Sequence, residues 1–311
     1  MLASANITDL PRLKRFLVVA ETGSLTKAAV AQGTTQSALS LQMAALERDC
    51  GARLFDRTGR GVALTELGMR LAQRAQELLR CADQLSQEIR AAAGVPVGEV
   101  TVGLLPSLAS SLAPLLLGEV LVKFPQLQLR ILEGSNGQID EWLSSGRLDV
   151  ALLYRYAPTK ASNEETLGII DSWLVGRKGD PLTKPDTVAF AKLHAQPLIL
   201  PSMPNGLRAT LNQLAMRKKI ELKVLVEVDS IPIQKNLVTS GFGYAILGRH
   251  AITNELQAGT LQAARLVQPG MSRAVTLATS NRHPPTLASK SVAHLLRTLT
   301  KGIESLGYLR P

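Results

Sequence analysis

The sequence has few of the residues from which metal and redox sites are built. Its 311 residues include only 2 cysteines and 4 histidines. Cys50 and Cys81 lie far apart in the chain, which is not the spacing of a metal site, and we interpret both as packing residues. The histidines are equally scattered, at His194, His250, His283 and His294. No Gly-x-Ser-x-Gly motif occurs either. We therefore predict that the chain is not an enzyme and holds no cofactor.

The chain also lacks an apolar run long enough to cross a bilayer. Its best candidate, residues 112–122, is interrupted by Glu119. The first nine residues are polar and precede only a short apolar patch, unlike a secretory signal. We therefore expect a cytoplasmic protein without a membrane partner. With 45% hydrophobic and 19% charged residues the composition is globular, and the length predicts two or three domains.

Residues 24–47 predict two short helices that meet at a tight corner. Ser24 can cap a first helix over residues 25–31, because its hydroxyl can accept a free backbone N–H. A threonine cap and a second helix over about residues 36–48 follow the glycine-containing turn. A turn of this length between two helices is typical of a helix-turn-helix.

The second helix is predicted to contact base edges. Ala38, Leu39, Met43 and Leu46 recur at three- and four-residue spacing and form one apolar face. Threonine, glutamine and serine, together with Leu41, remain on or near the opposite side, where the polar side chains suit hydrogen bonding in a major groove. A solvated polar face is the alternative. The predicted contacts from the helix pair are Lys27, Thr34, Thr35, Gln36, Ser37, Ser40 and Gln42.

Residues 55–64, FDRTGRGVAL, predict a two-stranded wing with glycines in its turn. Arg57 and Arg60 in this wing are expected to contact phosphates or enter a minor groove. Ordinary solvated arginines are the alternative. Bulk charge decides little: the formal net charge is +10, yet residues 1–65 hold 8 Lys and Arg against 5 Asp and Glu.

These motifs and their flanks resemble the DNA-binding region of the LysR-type transcriptional regulators. The resemblance covers residues 12–68 and is far more specific as a combination than in any of its parts. Its elements are Phe16 to Gly23, Ala28-Ala29, TQSALS at 35–40, Leu46-Glu47, Leu54-Phe55, Arg57, Arg60 and Leu64-Thr65. Ser37 stands where many members carry proline, which is favoured but not required there. The resemblance implies a winged helix-turn-helix over residues 1–65, double-stranded DNA as a partner, and RNA polymerase as a further candidate partner.

A long helix is predicted over residues 66–92, since no proline occurs before Pro96. One face carries the stripe of a coiled coil, with residues alternately four and three apart. The stripe consists of Leu71, Ala75, Leu78, Ala82, Leu85 and Ile89. We expect Leu71, Leu78, Leu85 and Ile89 to pair with the same helix of another subunit, giving a homodimer or homotetramer and an inverted-repeat site. Burial against the chain's own C-terminal domain is the alternative.

Beyond a hinge at residues 93–98, strands and helices alternate, which indicates an α/β domain with a largely parallel sheet over residues 99–311. The pattern repeats after Trp173 and predicts two lobes. Lobe I covers about 99–170 and 276–311, lobe II about 171–275, and two crossovers lie near 169–172 and 273–276. This arrangement is similar to the periplasmic-binding-protein fold, which is also the effector-binding fold of LysR-type regulators.

Candidate effector contacts follow the predicted strands of the two lobes. Ligands of open α/β sheets bind at the carboxyl ends of strands, against helix N-termini with free N–H groups. With the family resemblance, these places identify Ser107, Leu108, Ser135, Tyr154, Arg155, Ser202, Met203 and Phe242. Serine hydroxyls and helix amides suit a small polar or anionic ligand, with Arg155 as the main cation. Each residue could instead be a plain cap or turn residue.

The sequence therefore predicts a LysR-type regulator whose oligomer responds to a small-molecule effector between the lobes. The lobe sequences look most like the nitrogen-assimilation-control subgroup. Activation and repression both stay open. Two other hypotheses also stay open: a constitutive DNA-binding protein without an effector, and a two-lobe ligand-binding protein or enzyme.

Overall fold

A computed structural model describes residues 7–59, 61–91, 95–156, 161–282 and 284–305, apart from the side chains of 84, 86–88, 90–91 and 303–305. The chain divides into two compact units, one up to Arg90 and one from Ala91 onward. Within the described residues, no helix combines the length and the apolar character needed to span a membrane. The same residues bring no three His, Cys, Asp or Glu side chains together as metal ligands.

The N-terminal unit contains the predicted helix-turn-helix and wing. Its elements are α1 (Leu10–Thr22), α2 (Leu25–Ala31), α3 (Gln36–Cys50), β1 (Phe55–Thr58), β2 (Gly61–Leu64) and α4 (Glu66–Ala91). The Ser24 hydroxyl accepts the backbone N–H of Lys27 at 3.4 Å, and Thr35 caps α3 in the same way. Leu39, Met43 and Leu46 lie buried against α1 and α2. Capping and apolar spacing therefore form these helices as the sequence predicts.

The wing is fixed to the helix pair by one backbone hydrogen bond and by a side-chain carboxylate that accepts two backbone N–H groups. The N–H of Val62 donates to the carbonyl oxygen of Gly23 at 2.9 Å. A Cβ on Gly61 would come within 2.2 Å of that same oxygen, so the approach requires glycine. The Glu47 carboxylate accepts the N–H groups of Leu54 and Phe55 at 2.8 and 3.1 Å. The wing is therefore held in one position beside α3.

Helix α4 packs partly within its own unit, whereas the sequence predicts that the stripe from Leu71 onward pairs with another subunit. Ala75 and Leu79 are buried with Leu13 of α1, and Leu71 lies half-buried beside them. The apolar face of α1 explains this packing. Further along α4, Leu78, Leu85 and Ile89 are 38%, 60% and 68% exposed. The unburied part of the predicted stripe is therefore its second half.

The C-terminal unit consists of two α/β lobes. Lobe I contains β3 (Gly98–Leu104), α5 (Pro106–Lys123), β4 (Leu127–Glu133), α6 (Asn136–Ser144), β5 (Val150–Arg155), β12 (Ser272–Thr279) and α10 (Leu287–Ser305). Strand β3 pairs in parallel with β4 and β5, whereas β12 runs antiparallel to β5. The buried leucines of α5 and the valines of β3 form the core of this lobe.

Lobe II has its own sheet and cores. Its elements are β7 (Thr187–Ala189), β8 (Pro197–Leu200), α7 (Gly206–Lys218), β9 (Lys223–Glu227), α8 (Ile231–Thr239), β10 (Tyr244–Gly248), α9 (Thr253–Gln257) and β11 (Leu261–Val267), with 3₁₀ turns at Phe190–Leu193 and Arg249–Ile252. Strand β8 is parallel to β9 and β10. Apolar residues around Phe190 and Leu211 form one core of this lobe.

One strand joins the two lobes, a feature that the sequence pattern does not predict. Strand β6 (Glu164–Arg177) pairs with β12 up to Asp171 and with β10 and β11 from Ser172 onward. The chain returns to lobe I within residues 268–271, ahead of the expected 273–276, because Arg273 already pairs with Ile170 in the sheet of lobe I. The Ser172 N–H donates to the carbonyl oxygen of Met271 at 2.8 Å, so the two crossovers lie side by side.

Candidate nucleic-acid interface and interlobe site

The start of α3 presents the polar side chains that the sequence predicts at a DNA surface. Thr34, Thr35, Gln36 and Ser37 are exposed, as is Lys27 on α2. The Thr35 hydroxyl accepts the N–H of Ala38 at 3.2 Å and lies 3.2 Å from the Ser37 hydroxyl. Capping therefore fixes the Thr35 rotamer and leaves the adjacent side chains directed outward.

Other predicted DNA contacts have different surroundings. Ser40 is half-buried, and the Oε1 atom of Gln42 is buried without a hydrogen-bond partner among the described residues. Gln42 therefore directs its carboxamide oxygen into the domain, unlike the exposed side chain that was expected. Arg57 is exposed on β1, whereas Arg60 lies outside the described residues.

A buried hydrogen-bond chain connects the two lobes. The Ser107 hydroxyl, at the start of α5, lies 2.7 Å from the hydroxyl of Tyr154 on β5. The same Tyr154 hydroxyl lies 3.0 Å from Nε2 of His250, which belongs to the 3₁₀ turn after β10 in lobe II. Ser107, Tyr154 and His250 are all buried. The sequence predicts Ser107 and Tyr154 here but gives no role to His250.

Arg273 on β12 is the buried cation of this region. Its guanidinium carbon lies 4.4 Å from the centroid of the Tyr154 ring, and Nη1 donates to the Ser172 hydroxyl at 3.1 Å. Only 5% of Arg273 is exposed. Among the described residues it makes no ion pair with a carboxylate, and its Nε atom has no hydrogen-bond partner. The site therefore holds a positive charge that the described part of the chain does not neutralise.

His250 adds a neutral polar group next to this charge. Complete burial, with a smaller contribution from the nearby Arg273 charge, lowers the pKa of His250 to about 3. Its Nδ1 atom is buried and has no partner among the described residues, as is the case for the hydroxyl of Thr276. A Cβ on Gly248 would come within 2.3 Å of the His250 ring, so glycine permits the imidazole to sit there.

Asn136 and Gly206 position the tyrosines of this site. The Asn136 side chain accepts the backbone N–H of Tyr154 at 3.0 Å and donates to its carbonyl oxygen at 3.0 Å. The ring of Tyr156 lies so close to the start of α7 that a Cβ on Gly206 would come within 2.6 Å of it. Burial raises the pKa of the Tyr156 hydroxyl.

The predicted cation Arg155 is already neutralised within lobe I. Its Nη2 lies 2.7 Å from the Asp140 carboxylate and 2.5 Å from that of Glu164, and hydrogen bonds to these carboxylates raise its pKa. This arrangement differs from the expected cation available to a ligand. Helix α6 and strand β6 bring the two acidic residues around the guanidinium, a non-local arrangement that the sequence pattern did not show.

The remaining predicted effector residues occupy varied places. Leu108 is only 1% exposed and belongs to the lobe I core, because its side chain lies on the inner face of α5. Ser135 is the capping residue of α6, accepting the N–H of Gln138 at 3.3 Å. Ser202 bonds to the Asp229 carboxylate through its N–H and its hydroxyl. Met203 and Phe242 are 54% and 59% exposed.

Sequence reasoning missed Ser172, His250 and Arg273. They come from three distant segments that meet where β6 passes from lobe I to lobe II beside the start of β12. A usable signal existed for Arg273 alone, since it is the single charge in the otherwise uncharged strand SRAVTLAT. A charge in the middle of a buried strand requires a specific partner or a ligand.

Comparisons with known proteins agree over nearly the whole chain. Residues 10–69 match the family profile of the bacterial regulatory helix-turn-helix proteins of the lysR family, and residues 93–301 match the LysR substrate binding domain. The chain is 30% identical to the nitrogen assimilation regulatory protein nac of Klebsiella aerogenes over 94% of this chain and 95% of that protein. It is 31% identical to the Escherichia coli K12 protein of the same name, covering 90% and 92% of the two chains.

Solved structures show the same fold. Full-length CbnR in complex with its target DNA superposes with a TM-score of 0.70 at 22% identity, covering 93% of this chain and 99% of that one. A full-length variant of OxyR from Pseudomonas aeruginosa gives a TM-score of 0.68 at 22% identity, covering 93% and 97%. At these identities the likeness concerns the fold.

Proposed function

The chain belongs to the LysR family of DNA-binding transcriptional regulators and carries the family's effector-binding domain, and from this premise we propose how it acts. It binds an inverted-repeat operator as a homodimer or a dimer of dimers, in the cytoplasm, and responds to a small anionic effector between lobes I and II. Residues 1–65 bind DNA, residues 66–92 dimerise, and residues 99–311 sense the effector.

Contacts to DNA are supported by the exposed start of α3 and by the wing. Gln36 and Ser37 carry the donor and acceptor groups that major-groove edges require, and Arg57 adds a cation on β1. The wing position is fixed by Gly23 and Glu47, so helix and wing are held as one rigid surface. Such a surface suits direct readout by the helix and phosphate contact by the wing.

Dimerisation is supported by the exposed half of the α4 stripe. Leu78, Leu85 and Ile89 lie seven and four residues apart and so share one face of the helix. Large apolar side chains repeated along one helical face favour pairing with a second helix. A paired α4 would set two α3 helices at a fixed separation, which is why we expect an inverted repeat.

The observation that carries the effector proposal is the buried, uncompensated charge of Arg273. Burying a charge without a counter-ion costs several kcal/mol, about 3–5 in protein variants that lose one partner of a buried pair. The Tyr154 ring and the Ser172 hydroxyl offset part of this cost. A carboxylate or phosphate would supply the missing charge, and His250 Nδ1 and the Thr276 hydroxyl offer further polar contacts.

Binding at Arg273 would act on the junction between the lobes. Ser172 lies at the first crossover, Arg273 follows the second crossover and already belongs to the sheet of lobe I, as does Tyr154, and His250 belongs to lobe II. An anion that draws the guanidinium or accepts a hydrogen bond from this cluster changes the contacts that join the lobes. The ligand shifts the regulator only if it binds one lobe arrangement better than another.

A melting-temperature screen tests this proposal. Carboxylates and phosphate esters are compared with their neutral amides and alcohols on the wild type, on Arg273→Met, and on Arg130→Met, which removes an exposed arginine of the same lobe. We expect an anionic effector to raise the melting temperature of the wild type and of Arg130→Met but not of Arg273→Met. Without ligand, Arg273→Met should be at least as stable as the wild type, since it removes a buried charge. An anion that stabilises all three proteins equally would contradict the assignment.

Footprinting tests the DNA-binding part of the proposal separately. The purified protein is expected to protect an inverted repeat in the DNA that flanks its own gene, and the effector found in the screen should change the protected length. Failure to protect or retain any duplex at low salt would contradict the proposal.

A further inference from the structure

Leu41 on α3 is a large apolar side chain that the N-terminal unit leaves uncovered. It is 72% exposed, although α3 buries Leu39, Met43 and Leu46 completely or nearly so. Single exposed leucines are common on protein surfaces, so exposure alone carries no conclusion. The position of Leu41 within the helix is more informative.

Helical geometry places Leu41 on the outward face of α3. Successive residues turn by about 100°, so the side opposite the buried trio carries Ser37, Leu41, Ala44 and Arg48. These four are exposed. Leu41 follows Ser37 by one turn, and therefore lies next to the polar start of the helix rather than at its far end. In the proposed DNA complex its side chain faces the major groove.

The surroundings of Leu41 are complementary to DNA. A groove of about 550 Å³ runs beside it, lined by Leu41, Ala44, Glu47, Arg48, Gly51, Ala52 and Arg53. Glu47 is held by the N–H groups of Leu54 and Phe55. Arg48 and Arg53 are exposed and form no ion pair with a carboxylate among the described residues. Leu41 is an apolar side chain bordered by two arginines, and this arrangement suits DNA, which presents an apolar methyl group in a groove lined by phosphates.

We propose that Leu41 is a specificity-determining residue that recognises thymine through its 5-methyl group. Thymine alone among the bases presents a methyl group in the major groove, and apolar side chains discriminate it by contact. The inference rests on the proposed DNA-binding function. Removing a methyl group from an apolar contact should weaken binding about fourfold.

The experiment uses the full-length protein and two steps. Duplexes with randomised sequence are first selected by the wild type and by Leu41→Ala, and the position at which only the wild type enriches thymine is identified. Each thymine of the wild-type site is then replaced in turn by deoxyuridine, which lacks only the methyl group. In each half-site we expect one thymine position at which the single substitution weakens wild-type binding about fourfold. The same substitution should not weaken the binding of Leu41→Ala.

Two further variants separate the methyl contact from a general change in the domain. Leu41→Met keeps an apolar side chain and should retain the deoxyuridine effect. Val30→Ala removes another exposed apolar side chain, 79% exposed on α2, and should leave the selected sequence unchanged. A melting curve confirms that each variant is folded.

The outcomes distinguish this inference from the function on which it rests. If the wild type binds its selected site with unchanged affinity at every deoxyuridine position, or if Leu41→Ala keeps the full deoxyuridine effect, thymine recognition by Leu41 is overturned while DNA binding stands. If neither protein retains any duplex at low salt, the proposed DNA-binding function itself fails.

Discussion

The two units of this chain hold their functional groups in opposite ways. In the N-terminal unit the candidate DNA contacts of the helix pair come from one short stretch, residues 27–42, and most of them are exposed. In the C-terminal unit the candidate effector site draws Ser107, Tyr154, His250 and Arg273 from distant segments and buries all of them. Exposed groups can act one at a time, whereas buried groups act as a connected set. The difference teaches that substitutions should have local, separable effects in the first unit and collective effects in the second.

The largest expected effect is a loss of operator affinity caused by a residue outside the DNA surface. Such a loss would not be local, and it would therefore limit the rule that substitutions in the first unit have separable effects. Leu85→Asp places a charge in the proposed α4 pairing and should yield a smaller species by light scattering. Operator affinity should fall about 100-fold or more, since the two half-sites are no longer linked. Gln76→Asp, on the opposite side of the same helix and also exposed, should leave mass and affinity unchanged. An unaltered mass for Leu85→Asp would remove this helix from the dimer interface.

A second prediction tests the buried site through the pH dependence of protein stability. His250 has a pKa of about 3 in the folded protein and about 6.5 when unfolded, so the unfolded chain binds the extra proton between these values. Stability should begin to fall as the pH drops through 6.5, and should then fall by about 1.4 kcal/mol for each pH unit down to about pH 3. Urea unfolding at pH 5 and 6.5 should therefore show about 1.7 kcal/mol less pH dependence for His250→Gln than for the wild type.

The control for this measurement is His294→Gln, because His294 is exposed on α10. It should show the pH dependence of the wild type. Equal pH dependence for His250→Gln and the wild type would mean that His250 is accessible to protons in the folded state.

A third, smaller effect tests base readout by the first unit. Gln36→Ala should reduce discrimination between the operator and a mutated operator by about tenfold, which corresponds to one lost pair of hydrogen bonds to a base. Binding to random DNA should change little. Competition binding measures both, with Thr26→Ala as a control on the exposed surface of α2. Equal losses on operator and random DNA would assign Gln36 to general affinity.

The smallest effect concerns the wing. Arg57→Ala should weaken binding to all sequences alike and lower the slope of log affinity against log salt by about 1, as expected for one phosphate contact. Arg60→Ala is expected to behave in the same way. A titration between low and moderate salt measures the slope, and an unchanged slope would remove the substituted arginine from the phosphate contacts.

The sequence predicts the N-terminal unit better than the C-terminal unit. Helix α2 has the predicted bounds, Leu25–Ala31, because its signals are local: a serine cap, an apolar spacing and a turn. The wing and the start of α4 follow for the same reason. The packing of Ala75 and Leu79 on Leu13 was not foreseen, since an apolar stripe does not state which surface it covers.

The candidate effector site could be predicted only in part from the sequence. Ser107 and Tyr154 follow from the rule that ligands bind at the ends of strands. The role of Arg273 depends on strand β6, whose 14 residues carry no alternation strong enough to predict it. Arg155 stood out in the sequence as a cation after a strand, but the fold places Asp140 and Glu164 around it. Which arginine stays uncompensated is decided by tertiary pairing.

Strand β6 also limits what a bound effector can do mechanically. Its backbone hydrogen bonds belong to both sheets, and the Ser172 to Met271 bond ties it to the returning chain at the same level. Moving the two lobes apart would break these hydrogen bonds, whereas a rotation about the axis of β6 would leave them intact. A rotation about β6 would therefore leave both crossovers paired, and it would displace atoms far from the strand axis more than atoms close to it.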